Sequence, residues 1–344
     1  MVQSKKKDIE DFENMVKKIK FDGFLEGRSK ELNREAKVIL ELLQKHFEVE
    51  LSDEPDYVFC NVNSDTYFQY DCIRIFCTIE AICPDFNLCD YGIGFEYLDY
   101  GDRYFRLPNF YFYSGLVEKV SHKHINVKNE FTDRDFCSFV YSNNRADEMR
   151  EKLFQRLSEY KKVDSGGKYL NNLPNGRPVA DKISFENDHK FSIACENAAH
   201  PGYHTEKLAE AFAAQTVPIY WGDPEVEKVF NKKAFINCSR YSSVEEIVDR
   251  VKYLDTHPEE YLAMLREPAF AEMTALYGLE KLEDYLVHIF EQPIEEAYRR
   301  NRGFWGKQYL QNVRSEKNVV KKYLKLRESG VAQLALKIKR CIRK

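Results

Sequence analysis

The chain has 344 residues, 43% of them hydrophobic, and a formal net charge of −4 at pH 7, which predicts two domains of ordinary size with packed cores. The acidic balance argues against general nucleic-acid binding, which needs a net basic surface. The nine cysteines form no CxxC pair, a pattern typical of a reducing cytoplasm. We see no signal-peptide core and no run long and apolar enough to span a bilayer. We therefore expect a cytoplasmic protein, soluble or peripheral on the inner face of the membrane.

The sequence pattern of the first half of the chain changes near residue 57. Residues 1–50 are charged and have a helical period. They precede three short apolar runs, at 57–60, 72–77 and 91–95, which predict buried strands. Residues 109–135 are irregular and polar, which predicts a linker or loop.

A second alternation of strands and helices begins at Phe136. Its predicted elements are strand 137–141, helix 146–160, strand 191–195, helix 206–215, strands 217–221 and 234–237, and helices 244–254 and 258–265. Strands that alternate with helices of this length are typical of βαβ units and parallel sheets. We predict an α/β fold with two Rossmann-like domains that face one cleft, followed by C-terminal helices. The predicted boundaries are 1–142, 143–300 and a tail at 301–344.

The predicted tail differs from the rest of the chain. Between Glu316 and Lys344, lysines and arginines are interspersed with aliphatic residues. A basic amphipathic helix of this kind can lie on an anionic membrane surface. It can equally be a solvated or self-packed helix, so both interpretations stay open.

The densest chemical signal lies between a predicted strand and the helix that follows it, at residues 195–212. Thr205 is a plausible N-cap, which places Glu206 and Lys207 in the first helical turn. A helix N-terminus with a lysine suits a pyrophosphate, because free N–H groups and the helix dipole favour anions. Glu206 either complements the helix dipole or accepts hydrogen bonds from sugar hydroxyls.

Residues 190–237 resemble the donor-binding core of the α1,3/4-fucosyltransferase family, especially its bacterial members. Residues 74–108 are similar to the acceptor-side motif of the same family. The resemblance implies a GT-B fold, with the acceptor bound by the N-terminal domain and the donor by the next. It also implies GDP-fucose as donor, inversion at the anomeric carbon, an N-acetyllactosamine-type acceptor and no cofactor or bound metal.

The resemblance also assigns roles to individual residues. The pyrophosphate-binding arginine of the family matches Arg150, with Arg145 as the alternative. Four further donor-site residues match Asn197, Tyr203, Glu206 and Lys207. Without a metal ion, cationic side chains and a helix N-terminus must neutralise the leaving group, and arginine suits this role because it stays ionised. A purely structural alternative pairs Arg150 with Asp147 or Glu151.

The general base of the family matches Glu80, just after the strand at 72–77. Inverting transfer needs such a base to deprotonate the acceptor hydroxyl. The alternative is a surface carboxylate at a strand end. The sequence departs from the family pattern around this residue, since Ile79 and Ala81 flank it. It also departs at Cys195, where the family commonly has an aromatic residue.

Three other motifs predict no separate site. Asp133-Arg134-Asp135 has the DxD form, but mostly polar residues precede it, so we expect a solvated loop and no metal. The glycine-rich turn at 164–167 lacks the P-loop pattern. Pro201-Gly202 separates His200 from His204 and excludes a helical zinc pair.

Three functions are compatible with these features. The first is a metal-independent inverting α1,3(/4)-fucosyltransferase that decorates bacterial surface glycans, such as lipopolysaccharide with Lewis-type epitopes. The second is a GT-B enzyme that uses another nucleotide sugar, because phosphate contacts do not specify the sugar. The third is an inactive homologue that binds a glycan or nucleotide.

Overall fold

The computed structural model describes residues 16–27, 29–122, 133–271 and 277–328. Its strands are β1 Lys17–Asp22, β2 Val49–Leu51, β3 Tyr57–Cys60, β4 Ile73–Cys77, β5 Tyr91–Gly94, β6 Tyr104–Arg106, β7 Asp135–Phe139, β8 Val163–Ser165, β9 His189–Cys195, β10 Val217–Trp221 and β11 Ile236–Asn237. Its α-helices are α1 Arg34–Gln44, α2 Leu116–Ser121, α3 Met149–Ser158, α4 Lys182–Asn187, α5 Glu206–Ala213, α6 Val244–Thr256, α7 Pro258–Arg266, α8 Leu279–Phe290, α9 Ile294–Ala297 and α10 Phe304–Glu328.

Two parallel sheets organise these elements. The first has the order β2-β1-β3-β4-β5-β6 and the second has the order β11-β10-β9-β7-β8. Every pair of neighbouring strands is parallel. Strands β3, β4, β5 and β9 are buried along their whole length, as expected when helices cover both faces of a parallel sheet. The predicted α/β fold with two Rossmann-like domains is therefore confirmed.

The strand β1 lies where the sequence predicted a helical region. Lys18 and Lys20 alternate with Ile19 and Phe21, whose side chains are buried on the same face as Lys17. The lysine content hides the period-2 pattern of a half-buried strand. The helix α1 follows, with Asn33 Oδ1 accepting from the Ala36 N–H at 3.1 Å, the N-cap contact that stabilises a helix start.

The predicted boundary at residue 142 needs a correction. It assigns the strand β7 to the first domain, but β7 pairs with β8 and β9 of the second sheet. The second domain therefore begins no later than Asp135. The hydrophobic pattern of the strand cannot show this, because a buried strand fits either sheet equally well.

The predicted range 143–300 for the second domain is also wrong at its C-terminal end. On α8, Phe290 stacks on Tyr57 of β3 with ring centroids 4.0 Å apart. Arg300 forms a buried ion pair with Asp90, beside β5, at 3.0 Å between Nε and Oδ2. The chain thus crosses back at its C-terminus, and its last helices pack on the first domain.

The predicted linker at 109–135 is wrong over its first part. Residues Asn109–Phe112 form a 3₁₀ helix, and α2 follows it. Phe110 and Phe112 are fully buried in a core that also contains residues of α5. Burial of these aromatic side chains outweighs the polarity of the segment and determines its structure, because aromatic rings bury the larger area. Residues 123–132 lie outside the described part.

The two domains meet closely around residues 202–204. A Cβ on Gly202, whose φ is +83°, would lie 2.6 Å from Phe95 O of the first domain, so only glycine fits. His204 is buried against Phe110, with ring centroids 6.0 Å apart. Its Nδ1 lies 2.9 Å from Asp223 Oδ2. Burial lowers the pKa of His204, and Asp223 opposes this only in part.

Within the described residues, no helix combines the length and apolarity needed to cross a membrane. The eight cysteines in this part of the chain are free thiols. The predicted basic tail at 301–344 contains α10, and residues 329–344 lie outside the described residues.

We predict that Phe290→Ala lowers the free energy of unfolding by about 3–5 kcal/mol, because it leaves a cavity beneath α8. Phe304→Ala is the matched control, since that ring is 71% exposed and its removal should change stability by less than about 0.5 kcal/mol. Urea denaturation followed by circular dichroism measures both. Equal effects would contradict the packing of α8 on the first domain.

We predict that His204 makes the protein less stable as the pH falls below about 6.5. The lowered pKa in the folded state means that the unfolded state binds the extra proton first, so the stability present above pH 6.5 is lost on acidification. This contributes up to about 1.4 kcal/mol at pH 5.5. His204→Asn should flatten the pH dependence of unfolding between 7.5 and 5.5, whereas His257→Asn, at an exposed ring, should not. Parallel curves for wild type and His204→Asn would exclude this role.

Candidate active site

A cleft of about 510 Å³ lies between the two domains, and it contains all six predicted site residues. They are Glu80, Arg150, Asn197, Tyr203, Glu206 and Lys207. The volume is in the range of small-molecule sites. Glu80 follows β4 and Asn197 follows β9, so the cleft lies at the carboxyl ends of strands from both sheets, where open α/β sheets bind ligands.

The turn between β9 and α5 is organised by Glu196, a fully buried carboxylate. It accepts from the Thr205 N–H and the Thr205 hydroxyl, each at 2.7 Å, and from Lys207 Nζ at 3.1 Å. Thr205 occupies the predicted N-cap position, but its side chain does not cap the helix, because its hydroxyl donates to Glu196. Glu196 was not among the predicted site residues, because a glutamate before a turn is not by itself a signal for a site.

Lys207 remains a cation at the start of α5. Burial lowers the pKa of a lysine, but Glu196 and Glu206 outweigh it, so the pKa of Lys207 is raised. Its Nζ lies 3.5 Å from Glu206 Oε1. Burial likewise acts against ionised Glu206, yet Lys207 and Lys182 hold the pKa of this carboxyl below its usual value. Both side chains are therefore charged at neutral pH.

Arg150 lies in the first turn of α3 and is buried. Its Nη2 donates to Asn197 Oδ1 at 2.7 Å and to Cys195 O at 3.2 Å, and its guanidinium stacks on Tyr141 at 4.0 Å. Its Nε makes no hydrogen bond with the residues described. Arg150 is therefore held rigidly beside Asn197.

The alternatives to this arrangement are not observed. Arg145 is exposed and does not line the cleft. The carboxylate of Glu151 accepts from Tyr169, and that of Asp147 accepts from the Met149 N–H. The surface pairing considered for Arg150 is thus replaced by its contact with the end of β9.

Glu80 and Tyr203 meet across the domain boundary. Tyr203 is buried, and burial raises the pKa of its hydroxyl well above the usual value, with nearby Glu196 and Glu80 adding to the effect. Glu80 is exposed to the cleft, and Thr78 Oγ1 accepts from its N–H at 3.0 Å. Ile79 also lines the cleft, where it adds an apolar side chain next to Glu80.

Further polar side chains that the sequence patterns did not indicate line this cleft, among them Asn109, Lys182 and Glu210. Asn109 belongs to the first domain, and its Nδ2 donates to Glu206 Oε2 at 3.0 Å. Lys182 Nζ lies 2.6 Å from Glu210 Oε2. Asn109 follows the acceptor-side motif directly and was within reach of sequence reasoning, whereas nothing around Lys182 indicates a site.

The remaining motifs have structural explanations. A Cβ on Gly167 would lie 2.0 Å from Tyr141 O, so this glycine permits a close approach of two backbones. His200 contacts Glu96 at 3.0 Å, away from the Asp223 partner of His204. Asp135 is the first residue of β7, so the loop predicted for residues 133–135 ends at residue 134.

Two family models match the chain. The model of the α-(1,3)-fucosyltransferase FucT N-terminal domain matches residues 19–113. The model of the C-terminal part of glycosyltransferase family 10 (fucosyltransferase) matches residues 132–283. Together they cover more than half of the chain and correspond to its two domains.

Individual proteins agree with these models. The α-(1,3)-fucosyltransferase FucT of Helicobacter pylori is 38% identical over 227 residues, which cover 56% of this chain and 46% of the relative. The human 3-galactosyl-N-acetylglucosaminide 4-α-L-fucosyltransferase FUT3 is 29% identical over 185 residues, 50% of this chain and 49% of the relative. The chain thus spans about half the length of these curated relatives.

A solved structure covers more of the chain. The crystal structure of an α1,3-fucosyltransferase with GDP-fucose is 28% identical, has a TM-score of 0.68, and matches 83% of this chain and 93% of that one. The predicted arrangement of two domains and C-terminal helices is the arrangement that the two chains share. The family models, the relatives and the fold therefore agree that the chain belongs to glycosyltransferase family 10, the fucosyltransferases.

Proposed function

We propose that this protein is an inverting α1,3(/4)-fucosyltransferase, which transfers fucose from GDP-fucose to the N-acetylglucosamine of N-acetyllactosamine-type glycans. The observation that carries the proposal is the meeting of a carboxylate from the first domain with a cationic helix N-terminus from the second in one cleft. Family membership and the GDP-fucose complex of a similar enzyme support the choice of donor.

In this proposal, the second domain binds the leaving pyrophosphate. Arg150 and Lys207 supply permanent positive charge, and the first N–H groups of α5 add dipoles that need no reorganisation during the reaction. Asn197 holds the Arg150 guanidinium in place, and Glu196 holds Lys207. Glu206 accepts from donor hydroxyls, and Tyr203 lines the cleft near Glu80. We propose that these groups replace a metal ion in neutralising the phosphates.

The first domain binds the acceptor. Glu80 accepts the proton of the acceptor hydroxyl while that oxygen attacks the anomeric carbon, and GDP departs from the opposite face. Its exposure to the cleft leaves room for an acceptor sugar. Relatives are named for both 3- and 4-linked transfer, so the linkage is a matter for product analysis. We propose Lewis-type surface glycans as the products and the cytoplasm as the location, which the free thiols support.

We predict that GDP release with GDP-fucose and N-acetyllactosamine proceeds in EDTA and falls at least about 100-fold in Glu80→Gln. Glu54→Gln, on the exposed surface, is the matched control and should keep wild-type activity. Type 1 and type 2 acceptors are compared in the same assay. An active Glu80→Gln would place the base elsewhere.

Thermal shift with GDP-fucose separates the two remaining alternatives. A donor at a hundred times its dissociation constant should stabilise the protein by about 2.7 kcal/mol. Stabilisation by another nucleotide sugar, with none by GDP-fucose, would indicate a different donor. Stabilisation without turnover on any acceptor would indicate an inactive binding protein.

We further propose peripheral membrane contact through α10. One face of this helix packs on the first domain, where Arg314 donates to Phe68 O at 3.0 Å. Trp305, Val319 and Tyr323 remain exposed, as do the basic residues Lys322, Lys325 and Arg327. Apolar side chains beside positive charge suit an anionic lipid surface.

We predict that the full chain sediments with vesicles containing anionic lipid and much less with neutral ones. Binding should fall as salt rises from 50 to 500 mM, because screening weakens the attraction. Lys322→Glu combined with Lys325→Glu should reduce sedimentation, whereas Lys228→Glu, on the second domain, should not. Equal sedimentation of both variants would refute a role for α10.

A further inference from the structure

The second sheet carries, on the side away from the cleft, a cluster of side chains of the types that bind metal ions. Asp135 and His189 are the first residues of β7 and β9, and they are register partners in the sheet. Asp164 lies on the neighbouring strand β8. Asp135 and His189 thus lie at the amino ends of β7 and β9, and Asp164 is the second residue of β8, whereas Asn197 of the cleft follows the carboxyl end of β9. The cluster is therefore separate from the candidate active site.

The three side chains can reach one ion together. Each offers one ligand atom, and these atoms all lie within 4.8 Å of one another. An ion that binds nitrogen and oxygen ligands at 2.0–2.2 Å leaves its ligand atoms roughly 3–4 Å apart. The Asp135 side chain is exposed, so small rotations of it would bring the three ligand atoms to these distances.

His189 shows that this cluster differs from an ordinary surface group of acids. It is only 2% exposed, and its Nδ1 lies 2.8 Å from Phe185 O. The Nδ1–H must donate to that carbonyl, which leaves a lone pair on Nε2 in the neutral ring. Nε2 is buried and has no hydrogen-bond partner among the residues that the structure describes, although Asp164 Oδ2 is 3.5 Å away.

This geometry is the one that metal-binding histidines adopt. A backbone carbonyl on one ring nitrogen fixes the tautomer and orients the other nitrogen toward the ion. A buried polar atom without a partner is costly, and a metal ion would remove that cost. The competing cation is Lys162, whose Nζ lies 2.5 Å from Asp164 Oδ1. It engages the oxygen other than the one facing His189 and is itself largely exposed.

We propose that Asp135, Asp164 and His189 form a binding site for a divalent first-row transition ion, such as Zn²⁺, with water completing the coordination. One imidazole with two carboxylates favours such ions over Mg²⁺ and Ca²⁺, which prefer oxygen ligands alone. The ion would link the adjacent strands β9, β7 and β8 and stabilise the second domain. The ion would take no part in the proposed transfer reaction.

The test uses the full chain, stripped with EDTA and exchanged into chelator-free buffer. Isothermal titration calorimetry with Zn²⁺ should give one site per chain, and Zn²⁺ should raise the melting temperature. Asp135→Asn and His189→Gln should each weaken binding at least tenfold. Asp133→Asn is the matched control, because it removes the neighbouring carboxylate of the same motif, which is outside the cluster, and it should bind Zn²⁺ like wild type.

Cobalt(II) absorption identifies the ligands independently. The proposed site has no sulfur ligand, so the Co²⁺ protein should show weak d–d bands and no thiolate charge-transfer band. A charge-transfer band would assign the ion to cysteines and overturn the proposal. So would equal Zn²⁺ affinity in wild type and Asp135→Asn, or no binding at micromolar Zn²⁺. Because Asp135 is exposed, its variant tests the site even if His189→Gln does not fold.

Discussion

The buried carboxylate of Glu196 is the interaction on which the candidate site depends. An ionised carboxylate is tolerated in the interior only when it is paired and hydrogen-bonded, and Glu196 meets this condition through Thr205 and Lys207. The same contacts tie the start of α5 to the end of β9. A single buried charge thus determines where the helix N-terminus and its lysine lie.

The second domain alone forms only half of the cleft. Asn109 and Glu80 come from the first domain, and the interface around Gly202 and Phe110 sets their distance from α5. The C-terminal helices return to the first domain through Phe290 and Arg300. Aromatic and buried charged groups pack both the interface around Gly202 and the contact of the C-terminal helices with the first domain. The two domains are therefore held in one arrangement.

Charges alternate along the wall of the cleft. Lys207 lies between Glu196 and Glu206, and Lys182 lies beside Glu210. These pairs keep both lysines protonated at neutral pH although they are largely buried. An anionic ligand would therefore meet cations that are already charged and held in position, which is the requirement for electrostatic stabilisation of a leaving group.

The sequence alone determined the fold class, the family and the six residues that meet in the cleft. Strand and helix periods are local, and Asn197, Tyr203, Glu206 and Lys207 lie in the contiguous 190–237 motif, so no long-range information was needed for them. Glu80 and Arg150 lie outside that motif and were assigned by resemblance to the family. The tertiary structure decided what depends on contacts between distant segments. The placement of β7 in the second sheet, the return of α8 to the first domain and the burial of Phe110 depend on which surface each element covers. The role of Glu196 and the meeting of Asp135, Asp164 and His189 were equally hidden, because side chains far apart in sequence become neighbours only when the strands that carry them pair.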